Sequence, residues 1–223
     1  MKAYFVTGTD TDAGKTLVAC GLLALARRQG LTTQGLKPIA SGCDETPDGL
    51  RNRDALALQA VSHPPLGYAE VNPFAFAPAI APHLAARQAE VTLSLSALAE
   101  RLVPRLAEGR DVTLVEGAGG WRVPLDAEED LAGLARLLAL PVILVVGVRL
   151  GAINHARLTL EAIRRDGVRV AGWVANRLDP HMDAAEDNLS SLSQYLDAPC
   201  LGQVPYLIQP TPAGVADYLH LPE

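Results

Sequence analysis

The chain has 223 residues, 49% of them apolar, and a formal net charge of −6. That length allows one sizeable α/β core, and the negative balance argues against nucleic acid or an anionic membrane surface as the main partner. No apolar run reaches the ~18 residues a membrane span needs, no signal-peptide pattern precedes the first apolar run, and Cys20, Cys43 and Cys200 are too few and too scattered for a disulfide framework or a zinc site, which fits a reducing cytoplasm.

Strand and helix patterns alternate along the chain. Strands are expected at 3–7, 33–37, 111–116, 141–147, 169–175 and 199–204, and helices at 15–29, 53–61, 94–108, 128–139, 152–166 and 183–197. The runs "VTLVEG" and "PVILVVG" are short, continuous and β-branched, as strands covered on both faces require. Gly30 and Gly167 stand where C-terminal helix caps belong. Strand–helix–strand repetition predicts a doubly wound, mainly parallel sheet with helices on both faces, in a single domain over 1–223. The stretch 38–93, which holds Pro64, Pro65, Pro73, Pro78 and Pro82 and has little periodicity, breaks the rhythm. Such long irregular segments in compact domains are more often functional than idle.

The first strand runs into "GTDTDAGKT", residues 8–16, and then into a helix. This is the order of a phosphate-binding loop, although the usual spacing would place a glycine at Thr9 and here the glycine is Gly8. The free N–H groups and positive dipole end of the following helix favour phosphate. Gly14 allows close backbone approach, Lys15 can reach the β- and γ-phosphates, and the Thr16 hydroxyl can ligate Mg²⁺. Asp10 and Asp12 would repel a triphosphate unless they face a metal, water or a cation, and a solvated position suits either equally well.

Of 19 basic residues 16 are arginine; the only lysines are Lys2, Lys15 and Lys37. Arginine-favouring codon usage explains the bias, but lysine at two interior positions also suggests a need for a slim ammonium in place of a wide guanidinium. In "GLKPIASG", Pro38 holds Lys37 at a strand tip, on the sheet edge where the first loop opens, with Ser41 just beyond. Asp54 falls in the first turn of a helix that Asn52 can cap, a position that also suits simple dipole compensation. "VTLVEGAGG" ends a buried strand on Glu116, followed by Gly117, Ala118, Gly119 and Gly120. An acid at such a tip is where P-loop proteins hold magnesium, and the glycines expose backbone N–H groups to an anion. Thr16, Asp54 and Glu116 would supply hard oxygen ligands. Asn176 ends a later strand, and Asn176-Arg177-Leu178-Asp179 is similar to the guanine-reading motif of GTPases, while Asp179 before Pro180 equally suits a turn.

Together "GTDTDAGKT", "LKPIASG", "LRNRDALAL", "VNPFAF", "LVEGAGGWRVPL", "PVILVVGVRLGAINHA" and "AGWVAN" closely resemble the dethiobiotin synthetase family, from the first strand to about residue 207. The longer first loop is that family's own pattern. The resemblance implies ATP- and Mg²⁺-dependent closure of 7,8-diaminononanoate and CO2 (or bicarbonate) to the cyclic urea dethiobiotin, with ADP and phosphate released. It implies that Asp12, Ala13, Gly14, Lys15, Thr16 and Leu17 hold the triphosphate, with Gly117, Ala118 and Gly119 beside it. Thr16, Asp54 and Glu116 would carry magnesium; Lys37, with Lys15, would be catalytic; Thr11 and Ser41 would contact the substrate. Asn176, Arg177, Pro205, Tyr206 and Leu207 would lie near the adenine. The family is homodimeric, and the partner's Gly151, Ala152 and Asn154 would receive the distant substrate carboxylate. Two rivals share the fold: a P-loop amidating enzyme, for which no glutaminase-like nucleophile is present, and a MinD-type ATPase switch, which would carry lysine where this chain has Asp10.

Overall fold

The computed structural model describes residues 2–223. In chain order the elements are β1 (Lys2–Gly8), α1 (Lys15–Arg28), β2 (Thr33–Leu36), β3 (Ile39–Ala40), β4 (Asp44–Thr46), β5 (Gly49–Arg51), α2 (Arg53–Val61), α3 (Tyr68–Val71) and β6 (Phe74–Ala75). They continue with α4 (Pro82–Gln88), α5 (Leu95–Ala107), β7 (Val112–Glu116), α6 (Ala132–Leu137), β8 (Val142–Val148), α7 (Ala152–Arg165), β9 (Val170–Arg177), α8 (Ala185–Tyr195), β10 (Cys200–Val204) and α9 (Pro212–Ala216).

Six strands form one parallel sheet in the order β10-β9-β8-β1-β7-β2. β1 lies between β7 and β8, so the chain changes direction across the sheet at β1, which is where a doubly wound fold opens its ligand crevice. Both faces are covered. On β8, Leu144, Val146 and Val148 pack with α7 and α8 through Ala156, Leu160, Leu189 and Leu192. The intervening Ile143 and Val145 belong to the cluster that holds α1 and α9 through Leu22, Leu23 and Val215. Alternation along a strand sends successive side chains to opposite faces, and only a strand buried on both can be apolar throughout. That is why "PVILVVG" carries no polar partner residues. No helix among the described residues is long and apolar enough to cross a membrane.

All six expected main strands form, and each expected helix has a counterpart. Gly30 and Gly167 take positive φ beyond α1 and α7 as their cap positions require. One helix is much shorter than its sequence pattern. The expected 128–139 helix begins only at Ala132, because the Asp126 carboxylate accepts from the backbone N–H of Glu128 and Glu129, each at 2.7 Å, closing a turn. Such side-chain-to-backbone bonds compete with the helix for the same donors.

The irregular stretch 38–93 is ordered as a cap over the sheet edge. β3 pairs in parallel with β6, β4 and β5 form a small antiparallel hairpin, and α2, α3 and α4 lie between and after them. None of these short strands is long enough to have a readable period. Their backbones are fixed by the long connections around them, which makes them tertiary elements.

α9 closes the face of α1 where Gly21 leaves room: a Cβ there would stand 2.6 Å from Val215 Cγ1 and 2.9 Å from Leu219 Cδ1. Gly21→Ala is therefore expected to overpack this contact and cost about 1–3 kcal/mol. A lowered urea midpoint with an unchanged m-value checks it.

Candidate active site

The loop from Thr9 to Gly14 joins the tip of β1 to the first turn of α1, and its neighbours hold it from below. Thr9 N donates to Val145 O at 2.9 Å, the Thr9 hydroxyl accepts from Gly147 N at 3.2 Å, and Asn176 Nδ2 donates to Ala13 O at 3.0 Å. Gly14, at φ +90°, passes so close to Asn176 that a Cβ would stand 2.1 Å from its Nδ2. A glycine is the only residue that satisfies both the backbone sign and the contact.

Lys15 opens α1, is 7% exposed, and donates through Nζ to Asp10 O at 3.1 Å. Thr16 donates its hydroxyl to Glu116 Oε1 at 2.8 Å. Glu116, at the tip of β7, is fully buried. The same Oε1 receives Lys37 Nζ at 2.5 Å, and Lys37 also reaches Asp54 Oδ2 at 3.1 Å and Gly117 O at 3.3 Å. Glu116 Oε2 is buried with no hydrogen-bond partner among the described residues. Two strand tips and two helix starts thus bring Lys37, Glu116, Thr16 and Asp54 to one point, although up to 100 residues separate them in sequence.

A cavity of about 370 Å³ opens above them. Lys15, Thr16, Lys37, Asp54 and Glu116 line it, with Thr11, Asp12 and Gly14 from the first loop. Ser41, Ala118 and Gly119 complete the wall, together with Ala40 and Asn52. Ala40 carries no chemistry that marks it in the sequence, and the position of Asn52 before a helix predicts only a cap. Asn52 does cap α2, accepting from Asp54 N and Ala55 N at 3.0 and 3.2 Å. Asp54 is the first-turn acid of α2 and also a partner of Lys37.

The glycine-rich turn after Glu116 rests on the core. Gly117 N donates to Val6 O at 3.0 Å, and a Cβ on Gly117 would stand 2.9 Å from Phe5 Cζ. Trp121 packs edge-on against Phe5, with ring centroids 6.2 Å apart, and donates Nε1 to Asp166 Oδ2 at 2.7 Å. Asp10, which the sequence left between solvent and a cation, pairs with Arg149 from the end of β8. No local pattern in the chain marks Arg149 as that partner. In the Asn176–Asp179 segment Asp179 Oδ1 accepts from His181 N at 2.8 Å, closing a turn, and Arg177 pairs with Glu186 at 2.9 Å.

Several candidates stand apart from this cavity. Asn176 lies beneath the first loop, and Pro205, Tyr206 and Leu207 follow β10, whose Val204 pairs with Asn176. Gly151 and Asn154 line a separate, shallow depression at the start of α7, beside Leu150, which is 91% exposed.

The two buried lysines are held in opposite ways. Burial alone pulls the Lys37 ammonium down, but the charges of Glu116 and Asp54 and their hydrogen bonds outweigh it, and its pKa is raised. Burial lowers the Lys15 pKa, the Lys37 charge lowers it further, and Glu116, Asp54 and Asp12 only partly offset this. A raised base stabilises the fold at all pH values below its ordinary pKa and loses that contribution as pH rises through the raised one. A lowered base is a burden when protonated, one that an incoming anion relieves.

A loop of this kind at the head of a helix, with a buried acid at the neighbouring strand tip and a lysine under the phosphate position, defines a P-loop nucleotide-binding protein. Residues 2–213 match the family model described as "AAA domain". The chain is similar to solved structures of the MinC:MinD cell division protein complex of Aquifex aeolicus (TM-score 0.60, 13% identity, 93% of this chain and 82% of that one) and of a ParA family ATPase of Chlorobium tepidum (TM-score 0.57, 12% identity, 93% and 85%). At those identities the likeness concerns the fold alone. It is 62% identical to the ATP-dependent dethiobiotin synthetase BioD of Chromohalobacter salexigens, over all of this chain and 99% of that protein. It is 61% identical to the protein of the same name from Pseudomonas aeruginosa, over 99% of this chain and 97% of that one. The chain belongs to the ATP-dependent dethiobiotin synthetase family.

The lysine environments give opposite expectations for stability. Lys37→Met leaves Glu116 buried without its cation and should cost about 3–5 kcal/mol. Lys15→Met removes a desolvated charge and should stabilise the nucleotide-free protein by about 0.5–2 kcal/mol while abolishing nucleotide binding. Urea unfolding of the two variants beside the parent, at neutral pH, checks both signs.

Proposed function

We propose that this chain performs the reaction named for its relatives, using ATP to close 7,8-diaminononanoate and CO2 into dethiobiotin. The observation that carries this reading is the convergence of Lys15, Lys37, Thr16, Asp54 and Glu116 on one cavity. The whole chain, 1–223, is one domain in this reading, and it works in the cytoplasm.

One substrate amine adds to CO2, losing a proton, and gives an anionic carbamate. A carbamate oxygen then attacks the γ-phosphorus of ATP and the bond to ADP breaks, which leaves a carbamic-phosphoric anhydride. The second amine attacks the carbamate carbon, phosphate leaves with the bonding pair, a proton is released, and the five-membered urea closes. The main obstacle is the approach of two anions. Lys15, at the helix start, holds the β- and γ-phosphates, and Lys37 lies between carbamate and phosphate, so both neutralise charge as it shifts. The ammonium is slim enough for that gap where a guanidinium is not. Both nucleophiles belong to one bound molecule, so positioning supplies much of the rate. Asp12 through Leu17 cradle the triphosphate, with Gly117, Ala118 and Gly119 as the opposite wall. Thr11 and Ser41 contact the diamine, and Asn176, Arg177 and Pro205 to Leu207 flank the adenine.

The oxygen set fits Mg²⁺. Thr16, Asp54 and Glu116 offer hard donors, and Glu116 Oε2 is a buried acceptor with no partner. Among the described residues no group of three His, Cys, Asp or Glu gathers, so this would be a site shared with phosphate oxygens. Bound there, the ion would neutralise β- and γ-oxygens.

The homodimer of the family is adopted as well. Leu150 and Leu158 are exposed by 91% and 56% on the start and flank of α7. Next to them Gly151, Ala152 and Asn154 begin a helix of 14 residues, whose N-terminus suits a partner's substrate carboxylate. The MinD-type alternative lacks its lysine: Asp10 stands there, paired with Arg149.

Diaminononanoate and bicarbonate together should strongly stimulate ADP release from ATP in a coupled assay, and equal turnover without the diamine would remove this reading. Lys37→Arg should lower the stimulated rate by about 100-fold or more, and near-normal turnover would remove the argument from ammonium size.

A further inference from the structure

The motif "VNPFAF", Val71 to Phe76, takes no part in the reaction as described, yet it is tied to the site by an unbroken hydrogen-bonded chain. Lys37 has its own backbone held at both ends by this region. Its N–H donates to Val71 O at 2.8 Å, and its carbonyl accepts from Asn72 Nδ2 at 2.7 Å. Asn72 is 3% exposed, and its Oδ1 accepts from the Tyr68 hydroxyl at 2.9 Å. That hydroxyl in turn accepts from Asn52 N at 2.7 Å. Asn52, 8% exposed, caps the helix whose first turn carries Asp54, and its Nδ2 donates to Ser41 O at 3.5 Å. One phenolic oxygen therefore stands between the residue that fixes Lys37 and the residue that fixes Asp54 and Ser41. The Tyr68 ring itself is clamped by Arg51, whose guanidinium carbon lies 4.3 Å from the ring centroid.

We infer that Tyr68 and Asn72 are positioning residues for the proposed reaction, with Tyr68 setting the separation of Lys37 from Asp54 and Ser41 through Asn72 and Asn52. The inference rests on the proposed function for its catalytic consequence. The physical reason is directional. A hydroxyl that donates to one neighbour and accepts from another fixes both, whereas apolar packing leaves each free to slide. Lys37 sits past the end of β2, where the ladder no longer holds it. Asp54 lies on a separate helix, its side chain 46% exposed. Without the bridge the two reach each other only through Nζ, which has to leave the carboxylate if it is to follow the phosphoryl group. The nucleotide cradle is secured elsewhere, by Asn176, Thr9 and the Thr16–Glu116 bond. Loss of the bridge should therefore impair turnover and spare nucleotide binding.

The chain's three lysines make this directly visible. In protein labelled with ¹³C and ¹⁵N in lysine only, the side-chain ammonium region holds signals from Lys2, Lys15 and Lys37 alone, and Lys37, 4% exposed between two carboxylates, stands out from an exposed lysine. Tyr68→Phe keeps the ring and removes only the bridging oxygen. In the nucleotide-free variant the Lys37 signal should move toward that of an exposed lysine. The diamine-stimulated kcat should fall about fivefold to tenfold, with the ADP dissociation constant within about twofold of the parent. Gly21→Ala, expected to lower stability at a distance from this chain of bonds, serves as the control and should leave both the Lys37 signal and kcat unchanged. An unmoved Lys37 signal in Tyr68→Phe overturns the inference, and so does an equal shift in Gly21→Ala, which would mean general loosening. If Tyr68→Phe does not fold, as loss of ADP binding would reveal, Asn72→Ala severs the same bridge at its other end, and an unmoved signal there is equally decisive against it. The Lys37 signal is read without substrate, so failure of the diamine to stimulate the parent enzyme would count against the proposed function and leave this result standing.

Discussion

A carboxylate with no exposure to solvent has to be compensated where it lies, and Glu116 is such a group. Burial of a charge is strongly unfavourable unless pairing and hydrogen bonds replace the lost water. Here Thr16 and Lys37 supply that replacement on one oxygen while the other remains without a partner. Much of the local architecture follows from this need. β7 must deliver the acid to the centre of the sheet edge, α1 must begin within reach of it, and the chain after β2 must turn so that a lysine comes back over it. The residues that compensate the acid are the ones that a nucleotide and an anionic substrate would call on.

The two buried lysines have different tasks, and their surroundings reflect it. Lys37 is tied to acids and keeps its charge firmly, which would suit the proposed role beside a carbamate and a phosphate. Lys15 has only a backbone carbonyl as its direct partner and is pushed toward the neutral form by burial and by Lys37. A buried ammonium of that kind presents positive potential that a polyphosphate can satisfy. The stability lost in keeping Lys15 charged and buried is the familiar cost of a site prepared for a ligand.

The segment 38–93 shows how an irregular stretch can be ordered without a periodic pattern. Its two-stranded sheets are too small to be stable alone. They are held because the Lys37 backbone, Asn72, Tyr68 and Asn52 bond to one another across the turns, with Leu66, Val71 and Phe76 buried beneath. The prolines that hide any periodicity in the sequence also restrict the backbone of the unfolded chain, so less conformational entropy is lost on ordering.

The sequence by itself determined the main sheet, the order of its strands and helices along the chain, and the first loop, because those features are written in local pattern: apolar runs of strand length, helical periodicity, and a glycine–lysine–threonine turn between them. It also singled out Lys37, Asp54 and Glu116, by lysine scarcity, cap position and placement at a strand tip. What it left open was decided by which partner each group met in the folded chain. Asp10 had two equal readings until Arg149, 139 residues away, took its carboxylate. Asp179 closes a turn on the His181 N–H. The 128–139 helix lost its first turn to the Asp126 carboxylate, a competition that periodicity does not register. The small strands β3 to β6, the place of α9 on Gly21, and the bridge through Tyr68 have no period of their own and exist only as contacts. Local pattern fixes what a segment's backbone can be; which charge meets which, and which hydroxyl finds two partners, is settled only when the sheet brings distant tips to one edge.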